Sequence, residues 1–355
     1  MSNRLVIQSH KGPYAVEFVD EPFAGIAAEG PQKHYIIDSR VATLYREQLA
    51  DVLGSRSVLL VEAKEGSKSL ERCSDYVVHL MACGIKRGHV LVAIGGGIVQ
   101  DITCFLAAVL LRGVEWHFYP TSLLAQADSC IGSKSSINVG PYKNVVGTYT
   151  PPVRIVLCPA VLSTLPETEI RSGVGEMLKV HAIAGPDAFD RIAADYSTLL
   201  ADASMMKAYI LRSLEIKKGI IEQDEFDRGI RNVMNLGHSF GHAIESATEF
   251  AVPHGIAVTI GIDMAYFTAV RLGLMDRRHF DRMHPTLRLN YRGFELTDIP
   301  GERFFAAIAK DKKNTDAKLG LILPDSEAIP RRIGCVNDEA FQAGCRDYFD
   351  RVRRT

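Results

Sequence analysis

The sequence predicts a chain of two parts: an α/β N-terminal domain over residues 1–160 and a mainly α-helical C-terminal domain over 161–355. Three observations predict this. The chain has 355 residues, above the roughly 250–300 at which one hydrophobic core stops growing. Up to about residue 160, short β-branched runs alternate with stretches of helical apolar spacing, the pattern of a parallel sheet covered by helices. From about Thr164 the strand runs disappear and long helical patterns follow.

Taken in order, strands are expected at Leu5–Gln8, Ala15–Val19, His34–Ile37, Ser57–Val61, Val90–Ile94, Trp116–Tyr119 and Ile155–Leu157, all rich in β-branched or aromatic residues. Between them, Ala42–Leu53 and Leu70–Met81 place apolar residues on one helical face. Tyr149-Thr150-Pro151-Pro152 precedes the last of these strands, which puts the boundary near 160. Helices are then expected at Glu167–Ala184, Met205–Gln223, Ile230–Phe250, Ile256–Leu272 and Arg278–Arg288. A strand at Leu319–Leu323 and a helix at Asp338–Arg353 close the chain.

Composition excludes several function classes. Hydrophobic residues make up 47% and charged residues 23%, so the chain is neither disordered nor fibrous. Lys plus Arg (41) nearly balance Asp plus Glu (42), which argues against a generally basic nucleic-acid binder. The longest apolar run, Ile102–Leu111, is too short to span a bilayer, so no membrane partner is expected. The opening residues lack a signal-peptide core, and the seven cysteines contain no CxxC spacing. A reducing cytoplasm is the expected compartment.

Three local signals carry chemistry. Gly95-Gly96-Gly97 follows a strand and precedes a helix-like run, where backbone N–H groups can approach a phosphate. Position 100 is Gln100, which breaks the ordinary G-x-G-x-x-G pattern, so a plain glycine turn explains the triplet as well. Asp38 ends an earlier strand and on its own reads as a helix cap or turn residue.

The second signal is the run from Asn235 to His242, with Glu245 after it. His238 and His242 are one helical turn apart and share a face, yet Ser239 rules out the HExxH zinc pairing. His254 begins the next helical stretch, and upstream Glu176 precedes Lys179 by one turn. One carboxylate and two imidazoles with an open position suit catalytic zinc. Hydrogen-bonded structural histidines are the plainer alternative.

The third signal is the polar, glycine-rich segment 125–149, which holds Asp128, Lys134, Lys143 and Asn144. It suits an anionic ligand, though a solvated charged loop is the simpler account in isolation. Arg112, Lys179, Lys217 and Arg231 add cations beside apolar stretches.

Taken together, the blocks GGGIVQD at 95–101, LRGVEWHFYPTSLLAQADSCIGSK at 111–134, YKNVVGTY at 142–149, GEMLK at 175–179, RNVMNLGHSFGHAIE at 231–245, HG at 254–255 and DKKN at 311–314 resemble the dehydroquinate synthase family of sugar-phosphate cyclases. The resemblance implies a Rossmann-like NAD-binding domain, a helical metal- and substrate-binding domain, an active site in the cleft and a homodimer. Position by position, it implies that Glu176, His238 and His254 bind a divalent metal, zinc or else cobalt. Asp38, Glu65, Lys68, Gly95, Gly96, Gly97, Asp101, Thr121, Ser122 and Thr164 fall where the family contacts NAD. Asp128, Lys134, Asn144, Lys179, Lys217, Arg231, Asn235 and His242 fall on substrate positions, with Lys143 beside them. Arg112 matches an arginine that serves the neighbouring subunit, and Lys312 or Lys313 matches a late phosphate-pocket lysine.

The implied reaction is a phosphate-eliminating ring closure in which NAD is recycled. Lys217 and Arg231 favour a substrate carboxylate, hence 3-dehydroquinate formation from 3-deoxy-arabino-heptulosonate 7-phosphate. Gln100, Ser133, Gly175 and Ile256 depart from the family pattern, which keeps sedoheptulose 7-phosphate and glucose 6-phosphate in view. A metal-dependent polyol dehydrogenase and a non-catalytic binding protein are the alternatives from other classes.

Overall fold

The computed structural model describes residues 4–23, 25–27, 32–311, 314 and 318–355. Lys312 and Lys313 therefore lie outside the described residues. The chain divides into one unit of residues 1–165 with 218–226, and a second of 166–217 with 227–355.

The first unit is built on a seven-stranded sheet of β1 (Arg4–Ile7), β2 (Tyr14–Phe18), β3 (Lys33–Asp38), β4 (Val58–Val61), β5 (Val90–Gly95), β6 (Glu115–Pro120) and β9 (Arg154–Leu157). Between the last two in sequence lies a separate hairpin of β7 (Ile137–Val139) and β8 (Tyr142–Val146). The sheet order is β1-β2-β9-β6-β5-β3-β4, and every pairing is parallel except β1 with β2. Each strand expected from the sequence is present within two residues at either end. β5 is buried at all six positions, as a continuous apolar run at the centre of a parallel sheet requires.

Helices α1 (Ser39–Leu44), α2 (Ala50–Leu53), α3 (Leu70–Ala82) and α4 (Gly97–Val109) belong to this unit. α3 buries Cys73, Tyr76 and Leu80 at helical spacing. The single helix expected over Ala42–Leu53 is split into α1 and α2 because Tyr45 leaves helical geometry. Its hydroxyl lies 3.3 Å from both the Val161 carbonyl and the Thr164 hydroxyl. α4 buries eight residues, among them Ile102, Phe105 and Leu106. Most of the apolar run 102–111 thus finds cover inside its own unit, with Val109 exposed, so its length alone gives no argument for a partner subunit.

Segment 125–149 is more ordered than the sequence suggested. It holds a turn of π-helix at Ala125–Ser129 and the β7–β8 hairpin. The Gly140-Pro141 turn, with Gly140 at φ +52°, was the overlooked signal. Residues 218–226 cluster with the first unit, although the sequence reading put all of 161–355 in the second. They are anchored there by Glu222 and Glu225, which accept hydrogen bonds from the backbone N–H groups of Gln8 and His10.

The second unit contains α5 (Glu167–Ile183), α6 (Pro186–Ala194), α7 (Tyr196–Ala201), most of α8 (Ala203–Ile221), α9 (His238–Ala247), α10 (His254–Arg271), α11 (Arg277–Asn290), α12 (Gly301–Ala309) and α13 (Glu339–Asp350). A two-stranded hairpin, β10 (Leu319–Pro324) with β11 (Pro330–Cys335), accompanies them. α10 is buried at every residue from Gly255 to Ala269, which makes it the central helix of this core.

The helix expected over Ile230–Phe250 is interrupted. A 3₁₀ segment covers Ile230–Asn235, and Gly237 at φ +75° starts α9 anew. A Cβ at 237 would lie 2.6 Å from the Val258 carbonyl oxygen, so only glycine permits both that conformation and that approach. No described helix is long and apolar enough to cross a membrane.

Candidate active site

In the first unit, Gly95 to Gly97 link the central strand to α4. A Cβ on Gly95 would lie 2.7 Å from Val99 Cγ2, and one on Gly96 would lie 3.2 Å from Ser122 Oγ. At Gly97 a Cβ would meet nothing within 4 Å. No side chain caps α4, which leaves its N-terminus suited to an anion such as a diphosphate. Thr121 donates its N–H to the Gly95 carbonyl at 2.9 Å, which ties the next strand end to the turn.

Asp38 caps α1 by accepting the Arg40 N–H at 2.9 Å, the structural role the residue suggested on its own. Burial holds its carboxyl above the usual range against that hydrogen bond. Thr164 is taken up by the Val161 carbonyl and Tyr45.

Glu65, Lys68 and Asp101 form one network. Lys68 Nζ donates to Asp101 Oδ2 at 2.9 Å and lies 3.5 Å from Glu65 Oε1. Burial works to lower the Lys68 pKa, but the two carboxylates prevail and raise it. The same ammonium donates to Asn144 Oδ1 at 2.8 Å. Asn144, which the resemblance assigned to the substrate, is therefore joined to residues that it assigned to NAD. Asn138, which no sequence signal pointed to, completes the network by binding Glu65 and the Asn144 N–H.

Gln100 has a clear role in place of the family's glycine. Its amide exchanges two hydrogen bonds of 2.6 Å with Ser129, which locks α4 to the π-helical turn carrying buried Asp128. Lys143 and Arg112 are exposed, the latter at φ +68° just beyond α4. Lys134 lies in an antiparallel bridge with Tyr149.

The second unit brings Glu176 of α5, His238 and His242 of α9, and His254 of α10 together. Candidate ligand atoms of the three histidines lie within 4.8 Å of one another. Glu176 Oε1 stands 3.8 Å from His238 Nε2 and 3.3 Å from His254 Nε2. Its other oxygen pairs with Lys179 Nζ at 2.5 Å, and both side chains are almost wholly buried.

The outer nitrogens orient the rings. His238 Nδ1 lies 3.2 Å from the Leu236 carbonyl, and His254 Nδ1 lies 3.2 Å from Glu245 Oε2. A carbonyl can only accept, so Nδ1 of His238 carries the hydrogen and Nε2 of the neutral ring keeps a lone pair. This is the outer-sphere arrangement that metal-binding imidazoles need. Burial works to lower the His254 pKa, but hydrogen bonds to Glu176 and Glu245 prevail and raise it to about 10. A divalent cation at Nε2 would take that proton's place. The donor set therefore fits a divalent ion, with His242 at the exposed corner of the cluster.

Glu245 lay inside a recognised motif yet received no role, because nothing in its spacing says that it reaches His254. Lys217 and Arg231 are buried at 7% and 5% exposure, and Asn235 donates to the Asn232 carbonyl at 3.0 Å.

Comparison with known proteins adds the following. A family profile described as 3-dehydroquinate synthase N-terminal matches residues 58–172, and one described as 3-dehydroquinate synthase C-terminal matches 173–314. A 3-dehydroquinate synthase of Cereibacter sphaeroides is 36% identical over 304 residues, covering 82% of each chain. A 2-epi-5-epi-valiolone synthase from Streptomyces hygroscopicus, solved with NAD+ and Zn2+ bound, superposes with a TM-score of 0.82 at 25% identity. That match covers 95% of this chain and 97% of that one. A 2-deoxy-scyllo-inosose synthase, complexed with carbaglucose-6-phosphate, NAD+ and Co2+, superposes with a TM-score of 0.83. At 22% identity over 98% and 99% of the two chains, that likeness speaks for the fold.

Proposed function

This chain belongs to the 3-dehydroquinate synthase family, and from that premise we propose that it is an NAD- and divalent-metal-dependent sugar-phosphate cyclase. Its proposed reaction is the lyase-type conversion of 3-deoxy-arabino-heptulosonate 7-phosphate to 3-dehydroquinate, carried out by a cytoplasmic homodimer. The observation that carries the reading is the convergence of Glu176 Oε1 with the Nε2 atoms of His238 and His254, each ring oriented from behind.

Glu176, His238 and His254 would hold the ion, zinc or else cobalt, and the Gly95–Gly97 turn would hold the NAD diphosphate. When bound, NAD would accept and return a hydride while the metal acidified a substrate hydroxyl. The chain's own residues supply binding and orientation. Lys179 neutralises Glu176 and keeps its second oxygen engaged. Lys134, Asn144, Asn235 and His242 would hold the phosphate, with Asp128 and Lys143 near it in sequence. Lys68 and Asp101 would fix the nucleotide end through Asn144.

Lys217 and Arg231, which the family resemblance puts at substrate positions, suit a carboxylate on the substrate. Relatives named 3-dehydroquinate synthase at 33–36% identity support the same choice. Three of the departures from the family pattern have visible local surroundings. Gly175 is demanded by a helix crossing, Ile256 is fully buried inside α10, and Ser133 bonds to Glu225.

The test is a side-by-side assay of phosphate release from the heptulosonate, sedoheptulose 7-phosphate and glucose 6-phosphate, with NAD and metal present. Release only from a substrate without a carboxylate would sink the charge argument. Stoichiometric NADH release from an unphosphorylated polyol would favour the dehydrogenase reading.

A further inference from the structure

Residues 218–226 end on two side chains that grip the segment carrying Lys134. Glu225 accepts hydrogen bonds from Ser9 Oγ at 2.7 Å, the His10 N–H at 2.8 Å and Ser133 Oγ at 2.9 Å. His10 Nδ1 lies 3.0 Å from the same carboxylate, whose side chain is only 13% exposed. Burial works against the charge, but these hydrogen bonds prevail and hold the Glu225 carboxyl below the usual range.

Phe226 acts from the other side. Its ring lies 5.1 Å from both His10 and Tyr149, and its carbonyl accepts the Tyr149 hydroxyl at 2.8 Å. Tyr149 in turn pairs with Lys134 across an antiparallel bridge, with Lys134 Nζ 6.0 Å from its ring centre.

Ser133 is the informative residue. Its φ is +61°, a conformation that glycine adopts without cost and serine does not. The Thr150 N–H holds its carbonyl at 2.7 Å, so the strained geometry is fastened on both sides. A hydroxyl kept against backbone preference, aimed at a largely buried carboxylate, implies a use for that bond.

We infer that Glu225 is a positioning residue for Lys134, acting through Ser133 on one side while Phe226 acts through Tyr149 on the other. The inference rests on the reading of Lys134 as a contact to the substrate phosphate. Glu225 does not touch substrate. It sets the direction of the lysine by fixing the turn 132–134.

The test compares Ser133→Gly, Glu225→Gln, their double variant and Lys134→Ala in the full chain with NAD and metal. Steady-state phosphate release is measured with the accepted substrate, alongside thermal melting. Ser133→Gly should melt within about 2 °C of the parent or above it, because glycine relieves the backbone. Its KM should nevertheless rise about tenfold with kcat within about twofold, the loss of one charge-assisted hydrogen bond. A residue with only a structural role would move melting and the active fraction, and would leave KM alone.

Glu225→Gln should raise KM similarly, and the double variant should be no worse than the worse single one. Should Glu225→Gln fail to fold, Ser133→Gly carries the test alone. An unchanged KM in Ser133→Gly beside a crippled Lys134→Ala would overturn the positioning role and leave the reading of Lys134 intact. Parental KM and kcat in Lys134→Ala would instead remove that reading and the inference with it.

Discussion

Gly175 of α5 and Gly255 of α10 face each other so closely that a Cβ on Gly175 would overlap the Gly255 carbonyl oxygen. A Cβ on Gly255 would likewise overlap the Ser172 carbonyl, and the Gly255 N–H donates to Ser172 Oγ at 3.0 Å. The residue after the first glycine is Glu176, and the residue before the second is His254. Close helix approach is therefore what brings the carboxylate within 3.3 Å of the imidazole.

Replacing Gly175 with alanine should consequently damage both stability and the metal site. The added methyl group forces the helices apart, an overpacking penalty of about 1–3 kcal/mol. A lower melting temperature and reduced metal content after dialysis are expected. A variant that melts and retains metal like the parent would show that the crossing tolerates a side chain.

His254→Ala should lose most of its metal and its activity. Glu245→Gln should be milder, lowering metal affinity about 10–100-fold, because the ring keeps its ligand nitrogen but loses its oriented partner. Competition with a metal-buffering chelator gives both values. Equal affinity in Glu245→Gln and the parent would mean that Glu245 plays no part in ring orientation.

NAD should be recycled and not consumed. Steady phosphate release with no matching growth of the NADH absorption band is the expected record. One NADH per phosphate would contradict the cyclase reading.

Stability should fall on mild acidification. Burial, then the neighbouring His89, pushes the His34 imidazole down to about 4, and burial together with Arg212 and Arg191 does the same to His181. An unfolded histidine titrates near 6.5. Between these values the unfolded chain binds more protons, so the stabilisation is complete above about pH 6.5 and is lost as pH falls toward 4. The deeply buried His181 contributes up to about 3 kcal/mol to that loss. His181→Gln should flatten the melting temperature across this window, and an unchanged slope would remove His181 from the account.

The homodimer proposal predicts complementation. Arg112 is exposed at φ +68°, just past the end of α4. Arg112→Ala and Lys134→Ala should each be inactive alone, and mixing them should restore part of the activity through hybrid dimers. Full activity of Arg112→Ala by itself would dismiss a shared site.

The sequence by itself determined the elements whose signal is local. The seven sheet strands were legible because β-branched runs such as Val90–Ile94 need a pleated, buried environment. α5 and α10 were legible because their apolar spacing persists over several turns. The resemblance also singled out Glu176, His238 and His254 by residue type and order.

Tertiary structure decided what depends on partners far apart in the chain. Gly237 breaks one long apolar helix into two because the backbone of α10 passes there. Gly175 looked like an unexplained departure until α10 was seen against it. Asn144 joined the network of Glu65, Lys68 and Asp101, and Glu225 reached Ser133 across 92 positions. Contacts of this kind leave no periodicity in the sequence, because each depends on where two separate backbones meet and not on the spacing within either one.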